Sequence, residues 1–243
     1  MYHSFSVPDI LKTSWYLFKK NFITIIVFSV ISYIILQFLD IIIEWIISPE
    51  EFAGRMAIGF LFVLSQAYTT LGLYKLIFTL IDSEYYEFEF KQVLPGLKMI
   101  LSYLAVGFIL AFVITNFSIL LDYLKEAYPL AYNIVKGVGF VLALYFFLRI
   151  MFFITYIVDD HSGPIESFRQ SFRLTKGYML KMFIIFLLIL FLIIVPLDIS
   201  AYYRFAFFLL AFTYPFASII LSVTYRKLVY SHQDVDDNLN ETN

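Results

Sequence analysis

The stretch FITIIVFSVISYIILQFLDIIIEWI, residues 22–46, carries only two charged side chains, Asp40 and Glu44. It is long enough as a helix to cross a hydrocarbon core of about 30 Å. A soluble amphipathic helix would place polar residues along one face, and this block has no such face. Comparable blocks recur down the chain. Working outward from the first, the spans are expected at 22–46, 56–81, 99–121, 134–158, 178–196 and 203–225. The fold class that follows is all-α: a polytopic transmembrane helix bundle of about six spans.

Composition agrees. Of 243 residues, 61% are hydrophobic and 15% are charged, and mean hydropathy is +0.84. Soluble domains are nearer half apolar and a quarter charged. The formal net charge of −2 decides little, because in a membrane protein the placement of charge matters more than its sum. The absence of cysteine removes disulfides, thiolate metal sites and palmitoylation. The apolar block after Lys19-Lys20 exceeds a secretory h-region and lacks a small-residue cleavage site, so the first span is expected to be retained.

Orientation is read from lysine and arginine. One side would hold Lys12, Lys19, Lys20, Lys91, Lys98, Arg169, Arg173, Lys176, Lys181, Arg226 and Lys227; the other only Arg55, Lys125, Lys136 and Arg204. The bias places both termini in the cytoplasm. The first domain is expected to be a single transmembrane unit, 1–230. The stretch 231–243, with Asp234, Asp236, Asp237 and Glu241, has little to bury and is expected to be a disordered acidic tail. Turns are expected near Pro49-Glu50-Glu51 and Tyr128-Pro129, and Pro196 is expected to close the fifth span.

The segments leading into spans one, three and five share a pattern. Leu11, Trp15 and Phe18, flanked by Lys12 and Lys19, correspond to Phe90, Leu94 and Leu97 with Lys91 and Lys98 at a shift of 79 residues. A further 78 residues on stand Phe168, Phe172 and Thr175 with Arg169 and Lys176. The first and third copies also align Asp9 with Glu166, Ser14 with Ser171, and Leu17 with Leu174. Such self-similarity marks a repeated unit: three hairpins, each preceded by a cytoplasmic amphipathic segment. The blander alternative is that any loop entering a span tends to be basic and partly apolar. In the third copy Gly163 suits an N-cap, Pro164 the first helical position and Gly177 the exit. Its apolar face would be Ile165, Phe168 and Phe172, and its polar face Glu166, Arg169, Arg173 and Lys176. That division fits a helix lying against anionic headgroups. Lys12, Lys19, Lys91, Lys98, Arg169, Arg173 and Lys176 are therefore the candidate lipid contacts.

Residues 149–187, RIMFFITYIVDDHSGPIESFRQSFRLTKGYMLKMFIIFL, resemble the membrane domain attached to some bacterial glycerophosphoryl diester phosphodiesterases, and related stand-alone membrane proteins. The resemblance rests on Arg149, Val158-Asp159-Asp160, Ile165-Glu166-Ser167, Ser171 and Leu174-Thr175-Lys176-Gly177. Ser167 stands where alanine is usual. The resemblance implies a bacterial cytoplasmic-membrane protein of undefined biochemical role. It does not bring phosphodiesterase activity, which belongs to a separate soluble barrel domain.

Arg149, Lys75 and Asp40 are the candidate intramembrane polar site. Arg149 would lie about 4–5 Å from the midplane of its span, where a charge must face protein or water. It is either a structural arginine or an anion contact within the bundle. Asp40 lies about 13 Å away in depth, too far for easy pairing. Lys75 can snorkel to the cytoplasmic side. The three histidines, His3, His161 and His232, form no iron or zinc set. No P-loop, nucleophile elbow or zinc-protease pattern occurs. No enzyme activity, cofactor or nucleic-acid partner is expected. The expected partners are membrane lipids, with a protein partner at the cytoplasmic face as a further option. Two functional readings remain: a non-catalytic accessory or scaffold unit, and a small transporter or permease subunit with Arg149 near a substrate path.

Overall fold

The computed structural model describes residues 6–46, 52–82, 93–203 and 208–241. The expected turn at 49–51 lies outside them, as do Lys91 and the side chain of Asp40. Among the described residues the chain is helical throughout, with no strand. Its helices are α1 (Val7–Lys20), α2 (Phe22–Ile46), α3 (Phe52–Asp82), α4 (Leu97–Ala127), α5 (Pro129–Ile150), α6 (Phe153–Asp159), α7 (Pro164–Leu174), α8 (Met179–Tyr202) and α9 (Leu210–Glu241).

Five of the described segments are long and apolar enough to cross a membrane: 22–43, 52–82, 97–127, 129–159 and 179–200. The chain is therefore a helical, multi-pass membrane protein. The sixth expected span, 203–225, falls largely on α9, which is not among the five. Residues 204–207 of that expected span lie outside the described residues. Ser218, Ile219, Ile220, Leu221, Ser222, Val223, Thr224 and Tyr225 are all buried, because α9 packs against α1, α2, α3 and α8. A helix wrapped by protein can carry hydroxyls that a lipid-facing helix could not. These hydroxyls bond back into their own helix: Ser218 to the Tyr214 carbonyl at 3.0 Å, Ser222 to Ser218 at 2.9 Å, and Thr224 to Ile220 at 2.6 Å.

Several boundaries differ from expectation. Pro196 does not end its helix, because α8 continues to Tyr202; a proline is tolerated inside a membrane helix when local groups absorb the lost bond. The backbone of α9 is helical through 231–241, where a disordered tail was expected. The Tyr128-Pro129 turn is present, with Pro129 opening α5. There α4 and α5 approach closely, and a Cβ at Gly139 would overlap the Phe117 ring. A Cβ at Gly107 would meet nothing within 4 Å.

The fourth expected span is interrupted. α5 stops at Ile150 and α6 resumes at Phe153. This break sits beneath α7, which packs against α4, α5 and α6, and it shapes the site described next.

Candidate functional site

α7 is bounded by the local chemistry its sequence carries. Gly163 is the N-cap and Pro164 opens the helix. The Glu166 carboxylate accepts the Gly163 N–H at 3.4 Å. Gly177, at φ +86°, turns the chain toward α8 in a conformation that a Cβ disfavours. The face α7 turns to the rest of the protein is a third one, between the apolar and polar faces read from sequence. Ser167, Ser171, Leu174 and Thr175 are buried, while Phe168 and Phe172 lie half-buried at the edge and Ile165 is 69% exposed. In α1 the same displacement occurs: Ile10, Ser14 and Phe18 are buried, and Trp15 sits at the rim against Phe216. Small hydroxyl residues let α7 approach another backbone closely, which phenylalanine would prevent.

That approach repairs the broken span. The Ser171 hydroxyl donates to the Arg149 carbonyl at 2.7 Å and accepts the Phe152 N–H at 3.2 Å. Both are backbone groups that the interruption leaves without helical partners. Thr155 donates to the Phe152 carbonyl at 2.7 Å. One side chain of α7 thus replaces the missing rung between α5 and α6.

The Arg149 guanidinium projects over the Phe172 ring, 5.0 Å from its centroid. Among the described residues it has no carboxylate partner, and its buried Nε has no hydrogen-bond acceptor. Arg169 and Lys176, three and four residues from Phe172 and on its side of α7, are exposed, as is Arg173. Ile165 is exposed on the same helix. Positive charge around an exposed aliphatic group is chemistry suited to a lipid headgroup and the top of its chain.

The other candidate residues lie elsewhere. Lys75 donates to the Leu94 carbonyl at 2.8 Å and ties α3 to the segment before α4. Lys12, Lys19 and Lys98 are exposed, with Lys19 5.2 Å over the Trp15 ring. Much of the middle lead-in, Phe90 and Lys91 included, lies outside the described residues, and α4 begins at Leu97.

A second ionic centre was not anticipated. Arg226 of α9 donates to both oxygens of Asp159 at 2.9 Å and to Asp82 at 2.5 Å. Tyr225 donates to Asp159 at 2.9 Å, and the Arg226 guanidinium lies 4.8 Å from the Phe78 ring centroid. Lys227 pairs with Asp9 of α1. The ends of α3 and α6 and the start of α1 thus meet the middle of α9. The signal in the sequence is an acid closing one span (Ile81-Asp82), another closing a second (Val158-Asp159), and a basic pair after the last. The basic residue was counted only toward orientation. Asp160, beside this centre, has its carboxyl pushed above the ordinary range, first by burial and then by the Asp159 charge. His161 takes a positive φ of 56°, and its Nδ1 lies 3.3 Å from the Asp159 carbonyl. No cluster of metal-ligating side chains exists among the described residues.

No family model, curated protein or solved structure matches the chain. Its class rests on fold and site: a helical multi-pass membrane protein with a basic, partly apolar surface over an interrupted span.

Proposed function

We propose that the protein is a non-catalytic accessory or scaffold unit of a bacterial cytoplasmic membrane, held at the cytoplasmic interface by anionic lipid headgroups. The observation that carries this reading is the contrast in pairing. Arg226 pairs with two carboxylates, whereas among the described residues Arg149 faces the Phe172 ring and no carboxylate, with Arg169, Arg173 and Lys176 exposed on and just beyond α7. Thermal melting in nanodiscs tests it. Phosphatidylglycerol should raise the melting temperature over phosphatidylcholine, and Arg149→Ala with Arg169→Ala should abolish that difference. An unchanged difference would defeat the reading.

The topology belongs to the same proposal: six spans in three hairpins, with both termini cytoplasmic. Its support is the convergence of Asp9, Asp82, Asp159, Arg226 and Lys227 at one end of the bundle, the end where most basic residues fall. The buried positions of α1 (Ile10, Ser14, Phe18) and α7 (Ser167, Ser171, Thr175) also stand at one common offset, as a repeat would require. The likeness over 149–187 to the phosphodiesterase-linked membrane domains is read as kinship on these grounds. Single cysteines at Ser48 and Ser231 should label from opposite sides; labelling from one side would remove the six-span arrangement.

A second reading, a transporter or permease subunit with Arg149 beside its path, draws support from the break at Met151–Phe152, since interrupted helices build substrate sites in transporters. It is weakened because Ser171 already occupies the Arg149 carbonyl and the Phe152 N–H.

A further inference from the structure

On another side of the bundle a cavity of about 550 Å³ lies between α2 and α3. One wall is a stripe of α2 that runs from Ile23 through Val27 and Ile31 to Ile35. The facing wall on α3 includes Tyr68, Gly72 and Leu76. Gly72 is what opens it: a Cβ there would stand 3.2 Å from the Phe28 ring and 3.6 Å from the Val93 carbonyl. Val27, Ile31 and Ile35 are about half exposed, so the groove is open sideways along its length.

Its dimensions match one leaflet. The rise from Ile23 to Ile35 is about 18 Å at helical pitch, against about 15 Å for half of a hydrocarbon core. One end reaches mid-span. The other is closed by Leu94 beside the junction of α2 with the amphipathic α1. The Lys75 ammonium binds the Leu94 carbonyl at that end. An ammonium has three donors, and among the described residues this carbonyl takes one. Thr69, the hydroxyl nearest the middle of the α3 wall, is turned back to the Gln66 carbonyl at 3.1 Å.

We propose that this groove holds one acyl chain of an anionic phospholipid from the leaflet that faces α1, with the phosphate at Lys75. The site goes beyond the headgroup surface of α7 and stands even if Arg149 proves silent.

Native mass spectrometry of the full chain, released from phosphatidylglycerol nanodiscs into mild detergent, tests it. Wild type should retain one phosphatidylglycerol. Val27→Trp with Ile31→Trp, which fills the groove from its lipid side, should lose it, and the control Ile119→Trp should keep it. Lys75→Gln should lower the preference over phosphatidylcholine about fivefold, the effect of one lysine near an anionic surface. Because the tryptophan variant could fail to fold, wild type is also photolabelled with a lipid carrying a mid-chain diazirine. Saturable labelling at Ile31–Ile35 supports the site. Equal retention by wild type and the filled variant, or labelling no stronger than at Ile119, overturns it. Disulfide dimers of Ile31→Cys in this cysteine-free chain would also overturn it, by placing a second copy in the groove.

Discussion

Two arginines, each near the end of an expected span, meet opposite fates. Arg226 sits among Asp82, Asp159, Tyr225 and the Phe78 ring, with its side chain 18% exposed. Arg149 sits over Phe172 with no acid facing it among the described residues. The difference lies in which helix ends converge. α3 and α6 both end against the middle of α9, so Arg226 can join two carboxylates from distant segments. Arg149 lies a few residues before α6, at the interruption, where α7 supplies hydroxyls and aromatic rings but no carboxylate. A guanidinium bound by two acids holds the bundle together. One left with an aromatic face is available to a ligand.

The largest expected effect is at the paired centre. Arg226→Ala strands Asp159 and should cost about 3 kcal/mol of stability, read as a lower melting temperature by the same amount in anionic and neutral nanodiscs. Arg226→Lys should recover only part, since an ammonium cannot span both carboxylates in the same geometry. If the two lipids gave different losses, the division between the centres would fail.

Next comes the hydroxyl that mends the span. Ser171→Ala leaves the Phe152 N–H without its partner and the Arg149 carbonyl with only the long contact to Thr175 at 3.5 Å, and should cost about 2 kcal/mol. At the matching position in α1, the Ser14 hydroxyl is buried with no hydrogen-bond partner among the described residues. Ser14→Ala should therefore be neutral or stabilising. Opposite signs at these two serines, measured by the same melting assay, would show that equivalent positions have diverged in role.

Arg149→Ala removes a cation–aromatic contact and should cost about 1 kcal/mol in neutral lipid. Its larger consequence should be loss of lipid preference. A loss as large as that of Arg226→Ala would make Arg149 structural after all. The smallest effect is at Asp160. Its raised folded-state value means the folded chain binds the proton more tightly than the unfolded chain does. Stability from this group is therefore full at acidic pH and falls as pH rises through the ordinary carboxylate range toward the raised value. Asp160→Asn should flatten that slope and stabilise modestly at neutral pH, checked by melting across that range.

Much of this was legible in single stretches of chain. The caps of α7 at Gly163, Glu166 and Gly177 are local chemistry, and the structure places them as the residue types predict. Which residues of α1 and α7 pack against the rest of the protein was not legible in their apolar stripes. Close backbone approach instead selected Ser14, Ser167 and Ser171 for the interior and left Trp15 and Ile165 outside. The polar make-up of α9 is likewise explained by the helices around it.

Bilayer crossing is a property each segment carries by itself. A run of apolar residues long enough to satisfy its own backbone bonds in lipid needs no partner to declare itself, so residues such as 22–46 and 179–200 determine a multi-pass helical protein from sequence alone. The cap and exit of α7 are determined in the same local way. Only the tertiary structure decided that Asp82 and Asp159 both reach Arg226, that Ser171 replaces a missing helical rung, and that Gly72 opens a groove beside α2. Each depends on the relative depth and rotation of helices distant in the chain, and no short stretch of sequence encodes those quantities.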